Sequence, residues 1–525
     1  MALLTSFAGM AYEIVLAQTI AFLSDEVVFW ESLSIGFFIA ATGLGVFIFD
    51  KRSEKNLLHF FIKAEVSLAI LGLLSLPIIY GFHIIYRIYI VDYASHTVFT
   101  KPLNWIMLCC QMPIILIGLL NGIELRSLFE TKFSQNIILA LYHLGALLAS
   151  LFFAVLVYQK IDTYYLMFLG SITNSLIILY SLSFVGKNYW TQMFLCSLFA
   201  MIYTANPNLW RKIQNLQIKN FYYNSMRIES DDFKIIQTGP VSLGELVNWA
   251  KKVPSIKRTY TPYQVIDLVK YEDDWKLFLD AHFQFSSKTE RYYHESLAHI
   301  PLMLTDQKPK KVLILGGGDG LLARELLKYK NLESLTLVEI DGQMIELGKS
   351  LPFSLLNGNS LSDPRLQIHI ADAFTWLRRN PATFDAIYID FPYPYTFEGL
   401  RIYSVEFFNL AVRHLSPSGF VMMDIPIFAA GASQWNEHVG TLLGNAGFAR
   451  SFAFEGNYGE TFVIALMKDT RYTFEFREMG VPLQILNKNW FASVEKKIDL
   501  NPFHSSHEVN SILKPKRISL PDIWK

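Results

Sequence analysis

Two kinds of hydrophobic pattern divide this 525-residue chain. Up to about residue 207, apolar residues come in long blocks separated by short polar gaps. Seven blocks fall at 3–23, 28–49, 64–90, 103–123, 136–158, 163–185 and 189–206. Each is close to the roughly 20 residues a helix needs to cross a bilayer. The first block starts beside Met1 with no basic leader and no small-residue cleavage site, so it reads as a retained span and not a removable signal. From 208 to 262 the blocks give way to polar and aromatic residues, with Pro240 and Pro254 as punctuation, and this stretch reads as a linker. Alternating strands over Tyr263–Tyr271 and Trp275–Phe285, around the turn Glu272-Asp273-Asp274, predict a β-hairpin. From Lys311 to Lys468 short apolar runs alternate with amphipathic stretches, which predicts a parallel, doubly wound sheet. The tail, 469–525, has no clear period.

The expected architecture is a multi-pass α-helical membrane domain (1–207, about seven spans) and a linker (208–262). A β-hairpin subdomain (263–310), a Rossmann-like, methyltransferase-type α/β domain (311–468) and a tail (469–525) follow. Composition supports the division. Hydrophobic residues make up 52% and charged residues only 18%, too apolar for a soluble chain of this length. The charges that exist lie mostly after residue 207. A formal net charge of zero gives no sign of nucleic-acid binding. Orientation stays open. Lys51, Arg52, Lys55, Lys63, Arg126 and Lys132 favour cytoplasmic loops and an inside N-terminus. An odd number of spans would then export a domain that should work in the cytoplasm. Either 189–206 does not span, or the charge rule misleads.

Within the apolar blocks, Glu13, Glu65 and Glu124 stand out, because ionisable residues in spans are costly. A place near an interface or at a helix cap is the simpler expectation for each. Ala41, Gly43 and Gly45 suit close helix packing. The three cysteines, Cys109, Cys110 and Cys196, all lie in these blocks, so neither thiol chemistry nor a cysteine zinc site is expected in the second half. The 12 histidines show no metal-ligand spacing.

The most informative stretch is Lys311–Glu325. Val312–Leu315 form an apolar strand that breaks into Gly316, Gly317 and Gly318, then Asp319, Gly320 and an amphipathic helix start. Glycines there let backbone N–H groups approach a ligand at a helix N-terminus. A second strand ends at Glu339, 23 residues past Gly316, near the distance expected of an acid that binds ribose hydroxyls. Asp372 and Asp390 end later strands. Ligands of open α/β sheets bind outside the carboxyl ends of strands, so these residues form a candidate nucleoside site.

These motifs resemble the spermidine synthases (polyamine aminopropyltransferases) over roughly Pro262–Leu466. Pro262-Tyr263-Gln264, Leu277–Glu295 with its Tyr-His-Glu ending, Gly316–Gly320, Glu339–Asp341, Asp363-Pro364-Arg365, Asp372, Asp390 and Asn457-Tyr458-Gly459-Glu460 follow in the family's order. Tyr12-Glu13, Gly36 and Ala41–Gly45 look like the membrane-fused bacterial form. The resemblance implies transfer of an aminopropyl group from decarboxylated S-adenosylmethionine, a co-substrate and not a resident cofactor, to putrescine or a related amine. It implies that Gln264, Gln284, Gly316, Gly318, Asp319, Glu339 and Asp372 hold the donor. Asp390 would act on the amine, with Tyr293, His294, Tyr393 and Tyr458 on the acceptor side. No metal is implied, because a sulfonium is already an activated leaving group. The expected partners are the small-molecule donor, a polyamine and the lipid bilayer, with no nucleic acid and with a homodimer. The expected location is the cell membrane, with the catalytic domain in the cytoplasm.

Four departures bear on the acceptor. Tyr393 stands where the family has a second acid, Thr289-Glu290 replaces an Asp-Glu pair, Ala281 replaces a usual Gly, and Ala373 often is Gly. The donor site thus looks intact and the acceptor site altered. Two other readings remain: a methyltransferase using S-adenosylmethionine, or a non-catalytic membrane sensor or carrier of polyamines or nucleosides. Asp319 favours the first reading over the methyltransferase, and Asp390 favours both enzymes over the carrier.

Overall fold

The computed structural model describes residues 1–23, 27–48, 54–89, 102–158 and 163–182, and scattered positions between 212 and 251. It also describes 256–515 apart from 281, 306, 393–398, 425–432, 456–460, 492–496 and 501–508. The chain forms two compact units. One is Met1–Glu229 with Lys234–Asp273 and Asp280–Phe283; the other is Ser230–Phe233, Asp274–Leu279 and Gln284–Lys525.

The first unit opens with α1 (Ala2–Phe22), α2 (Val27–Ile48), α3 (Glu54–Tyr89), α4 (Pro102–Cys110), α5 (Met112–Phe129), α6 (Gln135–Tyr158) and α7 (Thr163–Leu182). Six stretches are long and apolar enough to cross a membrane, α4 and α5 counting together as Trp105–Phe129. They coincide with the first six expected blocks; the seventh, 189–206, lies outside the described residues. Large apolar side chains such as Ile39, Phe47, Leu147, Leu151 and Leu176 are exposed on α2, α6 and α7, which suits a lipid-facing surface. Inward, Tyr12, Leu16, Ile20, Leu68, Ile117 and Phe153 build the bundle core.

Close backbone contact joins α2 to α5. A Cβ on Gly45 would stand 2.2 Å from the Leu119 carbonyl oxygen, and one on Gly122 2.1 Å from that of Thr42. Ala41 packs in the same seam against Gly118. Gly43 has nothing within 4 Å of its would-be Cβ and takes no part, because it lies on another side of the helix. The three acids are packed away from the bundle surface. Glu13, Glu65 and Glu124 are 3%, 0% and 0% exposed, turned into the bundle and not toward its outer surface.

The expected linker ends in a strand, β1 (Ile256–Tyr260), antiparallel to β2 (Val265–Tyr271). The strand expected at Trp275–Phe285 is two strands, β3 (Asp274–Leu279) and β4 (His282–Ser286). The chain turns at Asp280, whose φ is +47°, so a single period-two run was interrupted by a left-handed residue that Asp tolerates.

The second unit is built on a sheet of β5 (Lys311–Gly316), β6 (Ser334–Glu339), β7 (Leu366–Ile370), β8 (Phe384–Asp390), β9 (Leu415–Asp424), β10 (Arg450–Glu455), β11 (Thr461–Leu466) and β12 (Ile498–Asp499). The order is β12-β10-β11-β9-β8-β5-β6-β7. Strands β5 to β9 pair in parallel, whereas β9–β11, β11–β10 and β10–β12 are antiparallel. The sheet is therefore mixed, not wholly parallel, and two residues of the unreadable tail supply its edge. Alternate residues feed two cores. Val312, Ile314, Leu335, Leu337 and Tyr388 face one core, with α8 (Glu290–Thr305) and α9 (Leu321–Leu326). Leu313, Leu315, Val338, Ile387 and Ile389 face the other, with α11 (Ala373–Arg379), α12 (Val405–Arg413) and α13 (Ser433–Ala446). Helix α10 (Gly342–Lys349) follows β6 and adds Ile345 to the first core. Strand order reverses between β5 and β8, so the crevice belongs at their carboxyl ends.

Candidate active site

Strand register brings the glycine turn and Asp390 together. Gly316 at the end of β5 pairs with Asp390 at the end of β8. The Gly317 N–H donates to the Asp390 carbonyl at 3.2 Å. Gly316 and Gly317 have φ of +88° and +67°, and a Cβ on Gly317 would lie 2.9 Å from Asp390 Oδ2. Only glycine keeps this turn unstrained and the carboxylate beside it free.

Glu339 closes the other side of the turn. Its Oε2 accepts from the Gly318 N–H at 3.2 Å, and its Oε1 from the Asp341 N–H at 2.8 Å. Burial pushes its carboxyl up to about 7, opposed by those two N–H bonds. Asp319 Oδ1 accepts from the Leu321 N–H at 2.8 Å, at the start of α9. Burial raises Asp319 to about 6; His294 opposes the rise and Asp390 adds to it. A cationic ligand beside these carboxylates would restore their charge.

Asp390 has Tyr293 and His294 as its side-chain neighbours. The Tyr293 hydroxyl donates to its Oδ1 at 2.9 Å. Burial raises the Asp390 carboxyl above the usual range, while His294 and the Tyr293 hydrogen bond pull it back. His294 sits one residue on, its Nδ1 2.8 Å from the Glu290 carbonyl and 3.0 Å from Glu290 Oε2. Burial alone would lower the imidazole, but the Glu290 bond and charge, with Asp319 and Asp390, carry it up to about 9. Glu290 in turn takes a two-pronged bond from Arg324, at 2.8 and 2.9 Å. Those partners overcome burial and hold the Glu290 carboxyl down to about 2. A charged His294 therefore faces the two acids of the site.

Other residues have fixed supporting places. Asp372 caps α11 by accepting from the Thr375 N–H at 3.0 Å, and its Oδ1 pairs with Arg401 at 2.7 Å. Gln284 lies in β4 before Phe285, whose ring meets His294 edge-on at 6.1 Å. The end of β4 is anchored because the Ser286 hydroxyl donates to Asp274 at 2.7 Å. Glu295, last of the Tyr-His-Glu run, accepts from the N–H groups of Gln484, Ile485 and Leu486 at 2.8, 2.9 and 3.0 Å. Gln264 belongs to the first unit, where its N–H donates to Thr261 Oγ1 at 2.9 Å. Tyr393 and Tyr458, and the departure at Ala281, lie outside the described residues.

The structure thus gathers Gly316, Gly318, Asp319, Glu339, Asp390, Tyr293 and His294 around one crevice. Sequence reasoning missed the Glu290–Arg324 pair that charges His294. The signal was available: Glu290 and His294 are four residues apart on a helix, where side chains meet. Among the described residues no group of three or more His, Cys, Asp or Glu is placed to hold a metal.

Comparison with known proteins identifies the family. The family described as Spermine/spermidine synthase domain matches residues 290–426, which include the turn and all its acids. A polyamine aminopropyltransferase of Leptospira interrogans is 30% identical over 443 residues, covering 82% of this chain and 80% of its own. A polyamine aminopropyltransferase 2 of Aquifex aeolicus is 27% identical over 527 residues, 97% and 95% of the two chains. The spermidine synthase structure from Thermotoga maritima aligns with 46% of this chain and 84% of its own, at 27% identity and a TM-score of 0.39. With the relatives extending through both the apolar and the α/β regions, the chain belongs to the polyamine aminopropyltransferase family, transferases of the spermidine synthase type.

Proposed function

We propose that Asp390 is the group that prepares the acceptor amine, and that the glycine turn with Glu339, Asp319, Asp372 and Gln284 holds decarboxylated S-adenosylmethionine. The observation that carries this reading is the Asp390 carboxylate beside Gly316 and Gly317, held by Tyr293 at 2.9 Å. An ammonium has no lone pair until a proton leaves. Asp390 takes that proton. The freed nitrogen attacks the aminopropyl carbon, the C–N bond forms as the C–S bond breaks, and the sulfonium departs as a neutral thioether. Burial helps, because a carboxylate with a raised pKa is a better base near neutral pH. The charged His294 keeps it ionised until the amine arrives.

In this reading Glu339 takes the ribose hydroxyls and Asp319 the donor's own ammonium. A carboxylated donor would place a second negative charge beside Asp319 and bind less well. Tyr293 and His294 position the acceptor side, to which the family likeness also assigns Tyr393 and Tyr458. Tyr393 brings a phenol where the family has an acid, so the acceptor is putrescine held weakly or an amine with a longer apolar segment. The apolar helices anchor the enzyme in the cell membrane with the α/β region in the cytoplasm, and two copies associate.

The test is Asp390→Asn in the full chain. Turnover should fall by roughly two to four orders of magnitude, the usual contribution of a positioned base. Donor affinity, read by calorimetry, should hardly move. Full turnover in Asp390→Asn removes this assignment.

A further inference from the structure

The helix bundle holds a second acidic cluster that the transfer reaction does not use. Glu65 on α3 and Glu124 on α5 are both 0% exposed, and their carboxyl groups face one another. Asn174 on α7 donates its Nδ2 to Glu65 Oε2 at 2.7 Å. Tyr12 on α1 donates its hydroxyl to Asn174 Oδ1 at 3.0 Å and lies 3.1 Å from Ser171 Oγ. Four helices thus contribute to one buried network. Its polar atoms do not balance. Glu65 Oε1 and both oxygens of Glu124 have no hydrogen-bond partner, nor has the side chain of Asn121, one turn earlier on α5. Tyr142 and, at longer range, the Met1 ammonium also face these acids. No ion pair joins either acid to a cation among the described residues.

Buried carboxylates without a counter-charge are strongly unfavourable, and lone polar atoms at this depth are rare. A single shared proton would bridge two of the three bare oxygens and still leave one without a donor. A primary ammonium carries one positive charge and three N–H donors, a match in number to those three acceptors. The surrounding core of Leu68, Ile117, Phe61 and Ile177 is apolar and suits methylenes. From this match we propose that the bundle binds a primary alkylammonium, the chemistry of polyamines, between Glu65 and Glu124. This site is separate from the crevice at Asp390, and the proposal stands whether or not Asp390 is the base.

The experiment uses the full chain in lipid nanodiscs and radiolabelled putrescine. Bound putrescine should fall by one equivalent per chain on Glu65→Gln with Glu124→Gln, while aminopropyl transfer stays within about twofold. Glu124→Gln alone should weaken that equivalent about tenfold or more, the loss expected for a charge-assisted bond. An unchanged number of equivalents in the double variant overturns the proposal. If wild type binds one equivalent and the double variant none, the bundle site stands and putrescine is not held in the crevice. A second measurement needs no variant: esterification of Glu65 and Glu124 in wild type by an aliphatic diazo reagent, which does not couple amines, read by peptide mass spectrometry. Saturating putrescine should protect both. Labelling that putrescine leaves unchanged overturns the proposal as well.

Discussion

Replacing Glu290 with Gln keeps the shape of the side chain and removes the charge behind His294. In the native fold the imidazole is raised from 6.5 to about 9. A raised histidine stabilises the fold fully below the unfolded pKa, and the stabilisation fades as pH climbs through the folded one. The shift of 2.5 units corresponds to about 3 kcal/mol below pH 6.5, about 2 kcal/mol at pH 7.5, and nothing well above pH 9. The low pKa of Glu290, about 2, reports this attraction together with that of Arg324 and is not added to it. In Glu290→Gln the buried imidazole should release its proton near neutral pH. Asp319 and Asp390 would then lose the positive charge that holds them down. Two results follow. The variant should be less stable than wild type at pH 6, with a smaller difference at pH 9.5. The acid limb of the kcat–pH profile should move up by about one unit, because the base is harder to ionise. Both are read on the full chain, by thermal melting at several pH values and by steady-state transfer between pH 5 and 9.5. An acid limb that stays in place, in a folded and active variant, would falsify the coupling from Glu290 through His294 to Asp390.

Donor binding should depend on pH through Asp319. Its carboxyl is raised to about 6, so calorimetric affinity for the cationic donor should fall about tenfold per unit below pH 6, and a flat profile from pH 5 to 8 would count against Asp319 as the ammonium's partner. The raised pKa values of Asp319 and Glu339, about 6 and 7, also mean that their burial costs stability as pH rises from about 4 to 7 in the absence of ligand. Bound donor should therefore raise the melting temperature more at pH 7.5 than at pH 5. Gly317→Ala should cost about 1–3 kcal/mol through its positive φ and depress turnover; normal turnover would show that the turn can relax. Glu295→Ala leaves three backbone N–H groups of residues 484–486 without an acceptor, so limited proteolysis should cut the tail faster, and an unchanged rate would deny the clasp.

Some of this was readable in the chain and some was not, for physical reasons. Strands β5, β6 and β8 are short β-branched and leucine-rich runs ending in Gly or an acid, so sequence reveals both the strand and its polar terminus. Direction is different. The run Thr461–Leu466 is buried throughout, and a fully buried antiparallel strand has the same pattern as a parallel one. That is why β11 and β10 were expected to be parallel. The pair Ile498–Asp499 is too short for any period, yet it edges the sheet. Asp280 hid a strand break because alternation continues on both sides of it. In the bundle, sequence gives a span but not its facing side, so the burial of Glu65 and Glu124 could not be read from position. At the site, Asp390 and Glu339 were visible as strand ends. The charge on His294 was not, since it depends on Arg324, thirty residues away in the chain and beside Glu290 in space.

Helix α8 sends three consecutive side chains in three directions. Tyr293 reaches Asp390, His294 meets Glu290 on its own helix, and Glu295 grips the backbone at 484–486. Successive residues on a helix differ by about 100° around the axis, so these contacts surround it like the legs of a tripod. Such a helix cannot roll without breaking at least one leg. A disturbance at the tail would be transmitted as a turn of the axle that carries Tyr293. Segment 484–486 is thus a lever on the Asp390 carboxylate, acting through Glu295 and Tyr293 without touching Asp390 itself.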